Sequence, residues 1–112
     1  PAERAVYFIG GKWKIRILFN LSNKKKVRFG ALKRNLKTIT QQMLSKQLKE
    51  LEQDGIVNRK VYQIVPPKVE YSLTEFGNSL IPILRSFSDW NKKNLRTISF
   101  KLNKNFEENR IR

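Results

Sequence analysis

TITQQMLSKQLKELEQDG, residues 38–55, is the stretch on which the reading of this chain turns. Leu44, Leu48 and Leu51 recur at i, i+4 and i+7, with Met43 beside them. That spacing predicts a helix with one apolar stripe. Thr40 stands where a hydroxyl caps a first turn, and Gly55 where a left-handed C-terminal cap favours glycine. At about 100° per residue, the far side of the helix collects Gln42, Ser45, Lys46, Lys49 and Gln53. Amide, hydroxyl and ammonium groups donate to phosphates and bond base edges in a major groove. The stretch is therefore a candidate DNA recognition helix. Taken alone it also fits a solvated helix face, and its neighbours decide between the two.

Upstream, residues 2–9 (AERAVYFI) predict a short helix with Ala2, Ala5, Val6 and Ile9 on one side. Tyr7 and Phe8 make it more apolar than one packed face needs, which suits either a partner surface or a buried helix. Gly10-Gly11 ends it. Lys12 to Leu21 reads as a second helix with Trp13, Ile17, Leu18 and Leu21 as its buried stripe. Ser22 to Lys26 (SNKKK) is a polar turn that either stays solvated or touches a phosphate backbone. Arg28 to Leu36 predicts a third helix with Phe29, Leu32 and Leu36 inward. About four residues then lead into the candidate recognition helix, which is the helix-turn-helix arrangement.

Downstream, the period changes to that of strands. Ile56 to Ile64 (IVNRKVYQI) is rich in β-branched residues, and Val69 to Leu73 returns. Pro66 and Pro67 between them have no N–H to give a ladder. A β-hairpin carrying Arg59, Lys60 and Lys68 directly after a recognition helix is the plan of a winged helix. Thr74 is placed to cap a last helix, Glu75 to about Asn94, in which Pro82 predicts a kink or a split. Ile81, Leu84, Phe87 and Trp90 exceed what support of the wing requires, and either bury against a second copy of the chain, the favoured reading, or pack on the first two helices. Residues 96–112 read as either a further helix or a tail.

The 112 residues suit one winged-helix domain over 1–95 with an extension over 96–112. The chain opens on Pro1, so residues upstream of it are expected. There are 24 Lys+Arg against 9 Asp+Glu, a formal charge of +15. Residues 24–68 alone hold twelve basic and three acidic residues. A concentrated excess of that size points to a polyanion partner, with double-stranded DNA favoured by the helix pattern. No apolar run approaches the ~18 residues of a membrane span, and no signal-peptide pattern is present. A cytoplasmic protein without a membrane partner is expected. With no His and no Cys, the commonest general base, thiolate nucleophile and metal ligands are missing. Glu50, Glu52 and Asp54 read as partners of Lys46 or Lys49 rather than as a catalytic set. No enzyme activity, metal or cofactor is expected. The competing function is a basic protein that coats nucleic acid without sequence preference.

IGGKW (9–13), RFGALKRNL (28–36), ITQQMLSKQLKELEQDGIVNR (39–59), YQIVPPKVEYSLTEFG (62–77) and Trp90 occur in one order. Together they resemble the HxlR-type winged-helix transcriptional regulators of bacteria, which are MarR-like, over roughly residues 1–92. The resemblance implies an α+β fold, mostly α: a winged helix-turn-helix with N- and C-terminal dimerisation helices. It implies a homodimer acting on an inverted-repeat operator. Val6, Tyr7, Ile81, Leu84, Phe87 and Trp90 would lie in the dimer interface. The recognition-helix role would fall on Thr40, Gln41, Gln42, Ser45, Lys46 and Lys49, and the wing role on Arg59, Lys60 and Lys68. Many members carry a Cys immediately before the position of Pro1, and some use it as a redox or electrophile sensor. The 112 residues contain no Cys, and no effector is assigned to them.

Overall fold

Apolar stripes at helical spacing on three short segments leave those segments no stable alternative to packing on one another. The structure, a computed structural model, describes residues 12–23, 26–95 and 97. Its elements in chain order are α1 (Lys12–Ser22), β1 (Val27–Arg28), α2 (Phe29–Leu36), α3 (Gln41–Gln53), β2 (Val57–Tyr62), β3 (Lys68–Leu73) and α4 (Glu75–Lys93). The chain forms two compact units, Pro1–Ile81 and Pro82–Arg112. The segment around Val6 and Tyr7, Lys24 and Lys25 of the basic turn, and nearly all of residues 96–112 lie outside the described residues.

The first unit has a core drawn from every element. Ile17, Leu18 and Leu21 come from α1, Leu32 and Leu36 from α2, and Leu44, Leu48 and Leu51 from α3. Burying a leucine fully is worth about 1.5–3 kcal/mol, so the three of α3 fix which side of that helix faces out. Trp13 was expected in this stripe. It is instead half-buried, with Lys12 Nζ 4.9 Å and Arg16 Cζ 5.2 Å from its ring centroid. Lys14 takes the buried place.

The strands form one antiparallel sheet in the order β1-β3-β2. The short β1 was not expected, since Arg28 read as the start of a helix. Val27 and Arg28 are extended and pair with Tyr71 and Glu70, and Arg28 occupies the N-cap position of α2 without a side-chain cap bond. The hairpin is shorter than expected on its first strand and one residue longer on its second. Val57 faces Leu73, Arg59 faces Tyr71, Lys60 faces Glu70, and Tyr62 faces Lys68. Side chains alternate across the pleat. One face therefore carries Val27, Val57 and Tyr71, all buried, and the other carries Arg28, Lys60, Tyr62, Lys68 and Glu70.

Two turns set the geometry around α3. After α2, Lys37 adopts φ 59° and ψ −73°, and the Thr38 N–H donates to the Leu36 carbonyl at 2.7 Å. This is a γ-turn with a non-glycine residue at positive φ, a conformation that costs on the order of 1–3 kcal/mol. After α3, Gly55 sits at φ 74°. Its N–H reaches the Glu52 carbonyl at 3.0 Å and that of Ile56 reaches Leu51 at 2.9 Å. The paired bonds close the helix in a Schellman motif, as the glycine predicted.

Thr74 joins the sheet to α4. Its hydroxyl donates to the carbonyls of Gly55 (2.6 Å) and Ile56 (3.1 Å) and accepts the Gly77 N–H at 2.9 Å. A Cβ on Gly77 would collide with the Ile56 carbonyl, which is why glycine stands there. Helix α4 continues through Pro82 without the expected split. Ile81 and Leu84 were expected to face a second copy. They are only 7% and 1% exposed within the single chain. Phe87 and Trp90 are both 54% exposed, with ring centroids 6.5 Å apart.

Candidate nucleic-acid interface

The outward face of α3 depends on how firmly its inward face is held. Thr40 accepts the Met43 N–H at 3.1 Å, so its oxygen is engaged as the N-cap. What remains for a phosphate there is the hydroxyl proton, with the N–H groups of the first turn. Near the other end, Glu50 pairs with Lys14 of α1 at 2.9 Å. This corrects the expectation that Glu50 would pair along its own helix with Lys46 or Lys49. The side of α3 bearing Glu50 is turned toward α1. The hydrogen bond from Lys14 holds the Glu50 carboxyl below its ordinary pKa, partial burial opposes that, and the charges of Lys14 and Lys46 add to the lowering.

Held this way, α3 exposes Gln41, Gln42, Ser45, Lys46 and Lys49. They fall into two rows. Gln41, Ser45, Lys49 and Glu52 run at i, i+4, i+8 and i+11 along one wall of a cleft of about 480 Å³. Arg59 of β2 completes the polar lining, and Phe29, Val69 and Tyr71 supply apolar surface. Gln42 and Lys46 stand one residue further round and do not line it. Helix α3 and the hairpin are thus brought together at Arg59.

Lys60 and Lys68 are not part of that cleft. They lie on the other face of the sheet, with Nζ atoms 4.9 and 4.7 Å from the Tyr62 ring centroid. Lys26 Nζ donates to the Tyr62 hydroxyl at 3.3 Å. Lys68 also approaches Glu70 at 3.9 Å. The Tyr62 hydrogen bond is the main reason the Glu70 carboxyl is held below its ordinary pKa. Burial opposes it, and the charges of Lys68, Lys26 and Arg28 assist. Cation–π contact and one carboxylate let three lysines share a small surface. The sequence reading missed Tyr62, Glu70 and the role of Lys26. Lys60-x-Tyr62 and Lys68-x-Glu70 at period two could have placed four of these residues on one strand face. Lys26 could not be placed without β1.

A helix-turn-helix followed by a basic hairpin matches a known family. The model of the HxlR-like helix-turn-helix family matches residues 8–99. This chain belongs to the HxlR-like helix-turn-helix family. The HxlR-like chain is 50% identical over 93 residues to the HTH-type transcriptional regulator YdeP of Bacillus subtilis, covering 83% of this chain and 72% of YdeP. It is 55% identical over 94 residues to the HTH-type transcriptional regulator BH0655 of Halalkalibacterium halodurans, covering 84% and 83%. Among solved structures, the reduced form of the redox regulator HypR superposes with a TM-score of 0.83 at 47% identity, covering 88% of this chain and 97% of that one. The fold is the winged helix of these regulators, and the HxlR-like chain is a DNA-binding transcriptional regulator. Among the described residues no helix is long and apolar enough to cross a membrane.

Proposed function

We propose that this regulator acts as a homodimer on an inverted-repeat operator, each copy laying α3 in a major groove and its hairpin over the flanking backbone. The observation that carries this reading is the cleft in which Gln41, Ser45 and Lys49 of α3 face Arg59 of β2. Thr40 and the first-turn N–H groups approach a phosphate. Gln42 and Lys46 point past the cleft to the base edges, where glutamine bonds adenine in a bidentate way and lysine reaches guanine. Lys49 and Arg59 take the backbone that runs between helix and wing. Lys60 and Lys68 hold a further stretch of phosphate. The exposed, stacked Phe87 and Trp90, with Ile83 and Leu95 also exposed, supply apolar surface for the second copy. Val6 and Tyr7 of the first segment join it in this reading. Half-sites would then lie about one helical turn, ~34–36 Å, apart.

The test is a fluorescence-anisotropy titration against a duplex from the region upstream of the protein's own gene, with and without excess bulk competitor DNA. Light scattering weighs the complex. Saturable binding that survives competitor at two chains per duplex is the expected result. Binding that competitor abolishes, with no fixed stoichiometry, would establish general coating of nucleic acid instead. With about 6–10 phosphates neutralised, affinity should fall about 10³- to 10⁵-fold between 50 and 200 mM salt.

A further inference from the structure

Among the described residues, one carboxylate lines the cleft in which α3 faces the hairpin. Gln41, Ser45, Lys49 and Glu52 follow one another along its helical wall, and Arg59 faces them from β2. Amide, hydroxyl, ammonium and guanidinium groups all donate to phosphate oxygens, whereas a carboxylate repels them. The fold gains little from this one. Glu52 is exposed and lies in the last turn of α3, where the helix dipole disfavours a negative charge. Lys49, three residues back, has the spacing for an ion pair with it, yet none forms between them among the described residues.

Neighbouring acids show what a structural carboxylate looks like in this molecule. Glu50, two residues earlier, is bound by Lys14 at 2.9 Å and ties α3 to α1. Glu70 on the hairpin is engaged by Tyr62 and Lys68. Glu52 instead turns its charge on whatever enters the cleft. Its position decides which DNA feels that charge. At 1.5 Å per residue, Glu52 lies about 16 Å beyond Gln41 and about 4.5 Å beyond Lys49 along the helix axis. It stands at the C-terminal end of the row, with the three donors on one side of it. A backbone lying against Ser45, Lys49 and Arg59 is drawn in, and one that slides further along the wall meets a like charge. A duplex fixed by base contacts to Gln42 and Lys46 cannot slide. A duplex without those contacts samples every register along the cleft, including those beside Glu52.

We propose that Glu52 is a specificity-determining residue that acts by repulsion: its carboxylate closes one end of the phosphate track between α3 and the hairpin and weakens binding to DNA of the wrong sequence. The operator complex keeps its phosphates at Lys49 and Arg59 and loses little. Specificity is a difference of two affinities, and it rises when the unwanted complex alone is destabilised. A chain of formal charge +15 is drawn to any duplex, so a brake on sequence-independent binding has much to act on here. This rests on the DNA-binding reading above and adds to it a filter that its donor residues do not provide.

The experiment first enriches a duplex from a random-sequence pool with the wild-type chain. Failure to enrich any sequence would remove the operator reading itself, and the filter with it, before a variant is made. Affinities for the enriched duplex and for a scrambled duplex of equal length are then measured by fluorescence anisotropy at several salt concentrations. Glu52→Gln keeps the size of the side chain and removes its charge. It should bind the scrambled duplex about three- to tenfold more tightly and the enriched duplex within about twofold of wild type, so the ratio of the two affinities falls. Its salt slope on the scrambled duplex should steepen by about 1, one more phosphate being admitted. Glu75→Gln makes the same change of net charge at an exposed position of α4 outside the cleft, and should leave the ratio at its wild-type value. In an Arg59→Ala background, Glu52→Gln should lose most of its effect on the ratio, because the track has lost its facing cation. An unchanged ratio in Glu52→Gln would overturn the proposal. An equal fall in Glu75→Gln would also overturn it, by assigning the effect to net charge. So would a loss of affinity for the enriched duplex alone, which would make Glu52 a base contact that accepts from cytosine.

Discussion

Helix α3 and the β2–β3 hairpin both offer cations to solvent, and they hold them differently. Neither Lys46 nor Lys49 of α3 forms an ion pair among the described residues, and Gln42 and Ser45 are exposed beside them. The backbone beneath is fixed by a threonine cap, three buried leucines, a Schellman motif and the Lys14–Glu50 pair. On the hairpin the cations themselves are tied. Lys60 and Lys68 lie against one tyrosine ring, and Lys26 reaches its hydroxyl. Unengaged side chains on a rigid helix suit the reading of bases, where each position must choose its own partner. Tethered ammonium groups suit a phosphate row, which looks the same at every step.

The largest effect that would break this contrast lies under the helix. Leu48→Ala should lower stability by about 2–5 kcal/mol in urea unfolding and weaken DNA binding with it, because the outward face depends on the inward one. A variant that keeps its stability would mean that α3 is not anchored by this stripe. Next come the outward residues. Gln42→Ala should cost about 1–3 kcal/mol on the enriched duplex and relax choice at one base position. Lys60→Ala should weaken all duplexes nearly uniformly and reduce the salt slope by about 1. Exchange of those two behaviours would invert the assignment of helix and hairpin.

The smallest effect concerns Lys14 and Glu50. Glu50 is held below its ordinary pKa by Lys14 in the folded chain. A depressed carboxylate adds stability above its unfolded pKa, about 4.3, and loses it as pH falls through the folded value. The Glu50 side chain is 38% exposed, so screening limits the pair to roughly 1 kcal/mol or less. Lys14→Met should therefore be less stable than wild type at pH 7, with the pH-dependent part of the deficit lost as pH falls through the folded pKa of Glu50. A deficit that does not change with pH would assign Lys14 to packing alone.

What could be read from the chain before its structure follows the range of the forces involved. The Thr40 cap, the leucine stripe of α3 and the left-handed Gly55 are local, and each lies where spacing put it. Long-range pairings were not legible. Two residues of β1 carry no strand period, and the Lys14–Glu50 bond joins positions that only the packing of α1 on α3 brings together. Helix α4 shows the same limit from another side. It is apolar on several rows, so its sequence could not tell that Ile81 and Leu84 are buried while Ile83, Phe87 and Trp90 are exposed. On the hairpin, period two already sends Arg59 and Lys60 to opposite faces; spacing could not tell that the face of Arg59 shares a cleft with α3.

The independence of the outward row of α3 has a consequence for how such proteins diversify. Gln42, Ser45 and Lys46 are exposed, and substitutions at exposed positions usually change stability by no more than about 0.5 kcal/mol. A duplicated gene could therefore change its address on the chromosome one residue at a time, with a folded and still DNA-attracted protein at every step. The lysine-and-tyrosine cluster on the hairpin would keep each intermediate near the chromosome while its new address was being sorted out.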